Sequence, residues 1–136
     1  MPTAPAVPTF SGAVLCGGRS RRMGRDKALI RIDGVPMVVR VADALRAAGA
    51  TDVFAVGRDP EALAELGLVT VADDRPGAGP VAGIATALAH ACEDLVLVAG
   101  CDLLAPSPVA MAATVAALAG AREGGVAVPR DRGRRQ

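Results

Sequence analysis

Strand-length apolar runs alternate along this chain with segments whose apolar residues recur at helical spacing. Residues 12–16 (GAVLC) read as a first strand, and 36–48 (PMVVRVADALRAA) as a helix with Pro36 in its first turn and Gly49 as its stop. Residues 52–56 predict a second strand, 60–66 a short helix ended by Gly67, and 68–72 a third strand. Residues 80–92 (PVAGIATALAHAC) form a helix that starts from a loop rich in glycine and proline. The unbroken apolar run 95–99 suits a central parallel strand covered on both faces. A helix over 107–119 follows, with Ser107 as N-cap and Pro108 at its first position, and 125–128 reads as a last strand. Strand and helix in strict alternation predict an α/β fold with a mostly parallel sheet. In such sheets ligands gather at the carboxyl ends of the strands, so the loops after strands carry the chemistry.

Composition narrows this picture. A chain of 136 residues fits one domain, here 11–136 behind a proline-containing lead-in over 1–10. With Phe10 and Phe54 as its only aromatics, the core must be built from Val, Leu, Ile and Ala. The formal charge of +1 gives no general pull toward nucleic acid or anionic membrane. Charge is nonetheless uneven: basic over 19–27, acidic at Asp73 and Asp74, and basic again over 130–135, which reads as a solvated tail. No apolar stretch reaches membrane-spanning length. Three cysteines without a CxxC, one histidine and no signal-peptide pattern point to a reducing cytoplasm and away from a zinc site. Cys92 and Cys101 read most simply as small buried apolar residues, and His90 as a packed or surface histidine.

Three loops carry candidate chemistry. The first follows strand one. Gly17, Gly18 and Gly24 let backbone N–H groups approach an anion, and Arg19, Arg21, Arg22, Arg25 and Lys27 place five cations in nine residues. Lys27 is the only lysine among fifteen basic residues, which suits a site needing a compact point charge. Neither a GxxxxGK[ST] loop nor a GxGxxG turn can be drawn through it, and Ser20 has no nearby base to make it a nucleophile. The second loop sets Asp73 and Asp74 at a strand's end, before Gly77, Gly79 and Gly83 at the start of a helix whose N-terminus can face a ligand. The third is Gly100, Cys101 and Asp102 after the apolar run. A carboxylate leaving a dry strand there is a natural Mg²⁺ ligand beside phosphate oxygens and water.

These residues resemble a known family. LCGGRSRRMGRDKAL, residues 15–29, is similar to the signature LAGGxSxRMGxDKAL of the molybdenum cofactor guanylyltransferases, the MobA-like nucleotidyltransferases. Residues 79–84 look like that family's GPLAGI segment, and VAGCD over 98–102 looks like its Cys-Asp strand ending. The glycine pair at 17–18, with Asp26 before Lys27, favours the guanylyl branch over sugar-nucleotide or cytidylyl relatives. The resemblance implies a Rossmann-like three-layer nucleotidyltransferase domain. It implies transfer of GMP from GTP to the terminal phosphate of molybdopterin, with release of pyrophosphate and Mg²⁺ as cofactor. Partners would be GTP, molybdopterin or molybdenum cofactor, and molybdoenzymes or cofactor-delivery proteins. Leu15, Cys16, Gly17 and Gly18 would line the nucleotide through backbone groups, with Gly79 and Gly83 across from them. Lys27 and Arg22 would hold phosphates, Asp73 would sit on the nucleoside side, and Asp102 would bind the metal. Two departures stand out: no asparagine follows strand two at residues 54–58, and Leu103 and Leu104 intervene between Asp102 and Pro106. In the family, further strands and a terminal helix follow the segment that ends here at Gln136. The alternatives are a nucleotide-binding fragment without turnover, or a related transferase that uses CTP or another nucleotide.

Overall fold

A computed structural model describes residues 8–16, 27–57, 59–75, 78–121, 124–131 and 134–135. The strands β1 (Ser11–Leu15), β4 (Asp52–Gly57), β5 (Val69–Ala72) and β6 (Val96–Gly100) form one parallel sheet in the order β5-β4-β1-β6. A small antiparallel hairpin, β2 (Arg31–Ile32) with β3 (Val35–Pro36), follows a 3-10 turn over Lys27–Leu29. The helices are α1 (Met37–Ala47), α2 (Pro60–Glu65), α3 (Pro80–His90) and α4 (Pro108–Ala119). Within the basic segment, β7 (Arg130–Asp131) pairs antiparallel with β8 (Arg134–Arg135), and Arg130 is exposed.

The strand order dictates the layers. From β1 the chain steps through α1 to β4 and through α2 to β5, always in one direction. It then returns through α3 to β6, on the far side of β1. Crossovers between parallel strands are right-handed, so reversing direction moves the helix to the other face. Alternation along the strands agrees. Val14, Cys16, Ala55, Leu97, Ala99 and Cys101 pack with Val41, Leu45, Leu63, Met111 and Val115 from α1, α2 and α4. Ala13, Leu15, Phe54, Val56, Val96 and Val98 turn the other way, onto Ala87 of α3. The result is three layers, with the topological switch point between β1 and β6.

Local chemistry sets the helix ends. Asp59 and Ser107 cap α2 and α4, each side chain accepting from the backbone N–H three residues on (3.1 and 3.2 Å), and a proline opens each helix. Gly49 and Gly67 follow α1 and α2 with φ of +107° and +78°, a conformation that suits residues without a Cβ. Pro36 falls in β3, one residue ahead of the predicted first turn, because its carbonyl side is already extended (ψ 140°).

Three expectations are corrected. Residues 125–128 form no strand: Val126 is 88% exposed, and only Ala127 turns inward, beside β6 and α4. A strand exists only by pairing, and Gly124, Gly125 and Pro129 flank the run with residues that pair poorly. Among the described residues strand β6 lies at the edge of the sheet and not at its centre. Among the described residues it pairs only with β1, and each of its five residues is half-buried. Its apolar composition reflects two partly covered faces without a neighbour on the outer side. Cys92 is exposed rather than buried, because α3 ends at His90 and the chain turns outward before β6. His90 keeps one packed edge, its ring 4.6 Å from that of Phe54 in a T-shaped contact.

Candidate functional site at the carboxyl ends of β1 and β6

The switch point brings two of the three candidate loops side by side. Leu15 is in register with Gly100, and the Cys101 N–H donates to the Leu15 carbonyl at 3.1 Å. On the other side the Cys16 N–H donates to the Val56 carbonyl at 2.8 Å, so the ladder holds until the chain leaves β1. The chain thus enters the basic loop one strand spacing, about 5 Å, from where it exits toward Asp102. A crevice at the carboxyl ends of strands that part in opposite directions is where open α/β sheets take their ligands.

Asp102 is exposed at this rim, and Gly100 makes room for it. A Cβ on Gly100 would lie 2.7 Å from Asp102 Oδ1, so the carboxylate folds back over the end of β6 into space that any other residue would fill. A carboxylate held there fits a hard cation. Among the described residues no group of three His, Cys, Asp or Glu side chains gathers to hold a metal. Asp102 is the carboxylate that could hold Mg²⁺, an ion that commonly takes one or two carboxylates beside phosphate oxygens and water.

The remaining loop, the second of the three, reaches the same rim from α3. Gly79 precedes the helix with φ of +91° and no side-chain cap, which leaves the first N–H groups of α3 without a side-chain acceptor of the kind that α2 and α4 have. Gly83 lies one turn in, buried against β1, where a Cβ would sit 3.2 Å from Leu15 Cδ2. Its place is helix-on-strand packing: it brings α3 close enough for the helix's N-terminus to overlook the rim. Asp73 follows the end of β5, with β4 between that strand and β1, two strand spacings or about 10 Å away. Its Oδ1 accepts from the Arg75 N–H at 3.0 Å, so part of this carboxylate shapes its own turn. The neighbouring Asp74 N–H donates at 3.3 Å to the buried hydroxyl of Thr86, which donates in turn to the Ala82 carbonyl at 3.1 Å. Thr86 thereby fastens the acidic loop to α3, a role carried by a mid-helix threonine that only the fold reveals.

Lys27 opens the 3-10 turn, and its neighbour Ala28 is fully buried in the cluster that contains Cys16 and Cys101. The other cationic and glycine candidates of this loop, Gly17, Gly18 and Arg22 among them, lie outside the described residues. Two further features escaped the sequence reading. Gly57, at the end of β4, lies where a Cβ would come 2.9 Å from the Cys16 Cβ, so this glycine permits the close approach of β4 to the strand exit. Arg40 on α1 donates to the Leu104 carbonyl at 3.4 Å, a link from the helix layer to the loop after Asp102.

The family model for the MobA-like NTP transferase domain matches residues 12–136. A probable molybdenum cofactor guanylyltransferase of Opitutus terrae is 46% identical over 79 residues, covering 58% of this chain and 39% of that protein. A molybdenum cofactor guanylyltransferase of Xanthomonas euvesicatoria is 40% identical over 89 residues, 65% of this chain and 44% of that protein. The chain thus spans less than half the length of these curated relatives. Among solved structures, a protein of Aquifex aeolicus is 31% identical with a TM-score of 0.62, covering 80% of this chain and 57% of that one. A nucleotidyl transferase of Methanothermobacter thermautotrophicus shares the fold at a TM-score of 0.69, with 24% identity over 79% of this chain and 56% of that one. Sheet order, loop placement and the match across nearly the whole chain agree, and the chain belongs to the MobA-like NTP transferases.

Proposed function

We propose that this chain carries the nucleotide half of a molybdenum cofactor guanylyltransferase, moving GMP from GTP to the terminal phosphate of molybdopterin. The observation that carries the reading is the switch point itself. The loop ending in Lys27 leaves β1 in register with the strand end that carries Asp102, whose carboxylate occupies the space kept by Gly100. The relatives from Opitutus terrae and Xanthomonas euvesicatoria, named for guanylyl transfer to the molybdenum cofactor, support this choice of reaction.

The chemistry is in-line substitution at the α-phosphorus of GTP. An oxygen of the acceptor phosphate forms the new P–O bond, the bond to the bridging oxygen breaks, and pyrophosphate leaves with its electron pair. The attacking oxygen is already anionic, so no strong base is required. Alignment and charge neutralisation supply most of the catalysis. Backbone groups of Leu15, Cys16, Gly17 and Gly18 would border the nucleotide. Lys27 and Arg22 would balance the charge of the β- and γ-phosphates, and the α3 N-terminus beyond Gly79 would face them as a fixed dipole. Asp73, two strands away, would meet the nucleoside end. Mg²⁺ held by Asp102 would neutralise charge on the bridging and leaving oxygens. The setting is cytoplasmic, where GTP is found. Among the described residues no helix is long and apolar enough to cross a membrane.

The test is GTP- and Mg²⁺-dependent pyrophosphate release with molybdopterin as acceptor. Full turnover in both Lys27→Ala and Asp102→Ala would refute the site. A second reading is nucleotide binding without turnover. GTP binding by calorimetry without pyrophosphate release would establish it. Competition among GTP, CTP and ATP separates both from a transferase of different base preference.

A further inference from the structure

Two cysteines follow paired strand ends at the rim of the site. Cys16 follows Leu15, and Cys101 follows Gly100, the residue paired with Leu15. Leu15 faces the α3 layer, so the next residue on each strand turns to the opposite face. Both cysteines do so, joining the cluster shared with α1 and α4. The Cys101 N–H still makes its ladder bond to the Leu15 carbonyl, so β6 stays beside β1 as far as this residue. Register, alternation and common packing therefore make Cys16 and Cys101 same-face neighbours on adjacent strands. Their Cα separation is about 5 Å by sheet geometry, inside the span of about 4.4–6.8 Å that a disulfide bridges. Both are thiols. Both are buried yet keep 7% and 8% of their residue surface, against 0% for Val14, one inward position earlier on β1, and the Cys16 thiol donates to the Val14 carbonyl at 3.7 Å. Cys16 also stands where the related signature carries alanine.

We propose that Cys16 and Cys101 are a redox-modification site, which a small-molecule disulfide converts reversibly into an intramolecular disulfide. One cysteine, as thiolate, attacks the small disulfide; an S–S bond forms to the protein and one small thiolate leaves. The second cysteine thiolate attacks the protein-bound sulfur of that mixed disulfide, forms the Cys16–Cys101 bond and expels the second small thiolate. The two protons given up by the cysteines end on the two small thiols, and two electrons pass from the protein to the oxidant. Side chains on adjacent parallel strands start about 5 Å apart, and a disulfide needs Cβ atoms about 3.8 Å apart. Closure must therefore pull the two strand exits together by about 1 Å, a displacement able to cost up to about 100-fold at a preorganised site. That loss of affinity rests on the nucleotide reading above; the disulfide itself does not.

The test equilibrates the 136-residue chain with glutathione and glutathione disulfide over a range of ratios, traps thiols by alkylation, and maps peptides by mass under non-reducing conditions. Exposed Cys92 serves as an internal reporter that the oxidant has acted. The expected result is a Cys16–Cys101 cross-linked peptide that disappears with dithiothreitol. The oxidised chain should bind GTP about 10–100-fold more weakly than the reduced one. Glutathionylated Cys92 beside unmodified Cys16 and Cys101, or a cross-link that includes Cys92, would overturn the proposal. Equal GTP affinity in the two states would overturn the control of the site. A reduced chain that ignores GTP would instead count against the proposed function, while the peptide map still decides the thiol pair.

Discussion

Gly100 shows how a residue without a side chain positions one that has one. Its absent Cβ leaves the space that Asp102 Oδ1 uses, 2.7 Å from where that atom would stand. Gly100→Ala should displace the carboxylate and weaken Mg²⁺-dependent GTP binding by about 10-fold or more, with little change in melting temperature because Gly100 is only half-buried. Nucleotide titration with and without Mg²⁺ checks it. Lys27→Ala and Asp102→Ala should each lower turnover by about 100–1000-fold, the usual cost of losing one charge-stabilising group. The opposite end of the sheet has its own decisive residue. Ser11, fully buried, donates to Asp52 Oδ1 at 2.6 Å and accepts from the N–H groups of Cys92 and Glu93, both at 3.2 Å. Thr9 and Thr51 add hydroxyl bonds to the Glu93 carboxylate, at 2.9 and 3.0 Å. Ser11→Ala would strand two backbone donors, and urea unfolding should report a loss of about 2–3 kcal/mol with nucleotide affinity unchanged.

At the scale of elements, the convergence of three strand exits depends on close backbone approach. Gly57→Ala would set a Cβ 2.9 Å from the Cys16 Cβ, an atom with no freedom to swing aside. The ends of β1 and β4 would have to separate, at a cost of about 1–3 kcal/mol, and a thermal melt would register the drop. The helices and the four long strands were legible because each announces itself twice, by period and by punctuation. Ser107 with Pro108 and the glycine after α2 are examples. The β2–β3 hairpin was missed although Asp33 and Gly34 form a two-residue turn with φ of +51° and +80°, a turn type that favours Asp-Gly; its strands were too short to show alternation. The false strand over 125–128 failed for the reverse reason: an apolar run states a preference, and only a partner makes it a strand. The same limit hid the edge position of β6, since neighbours along a sheet are set by topology and not by composition. The site was legible as residue types. That Gly83 packs, that Asp73 is spent partly on its own turn, and that Thr86 ties the acidic loop could be read only from contacts.

For the whole molecule, the layers are uneven. Among the described residues, one face of the sheet is covered by α1, α2 and α4, and the other by α3 alone. Helix α3 itself shows solvent an apolar stripe, with Val81 76% and Leu88 59% exposed and Ile84 between them. Beside it β6 has outward N–H groups at 96, 98 and 100, since its alternate positions are the ones bonded to β1. Apolar stripes and unpaired strand edges both invite association. The 136-residue chain should therefore gain mass with concentration in light scattering, and Val81→Lys with Leu88→Lys should move that rise to higher concentration. A mass that stays monomeric throughout would contradict this. The clasp around Ser11 carries a different consequence. It fixes strand alignment at the rim farthest from the ligand loops, so those loops can be rewritten without disturbing what keeps the sheet in register. A framework fastened at its base can exchange one acceptor chemistry for another by editing only its upper turns, which makes it a practical starting scaffold for altered transferases.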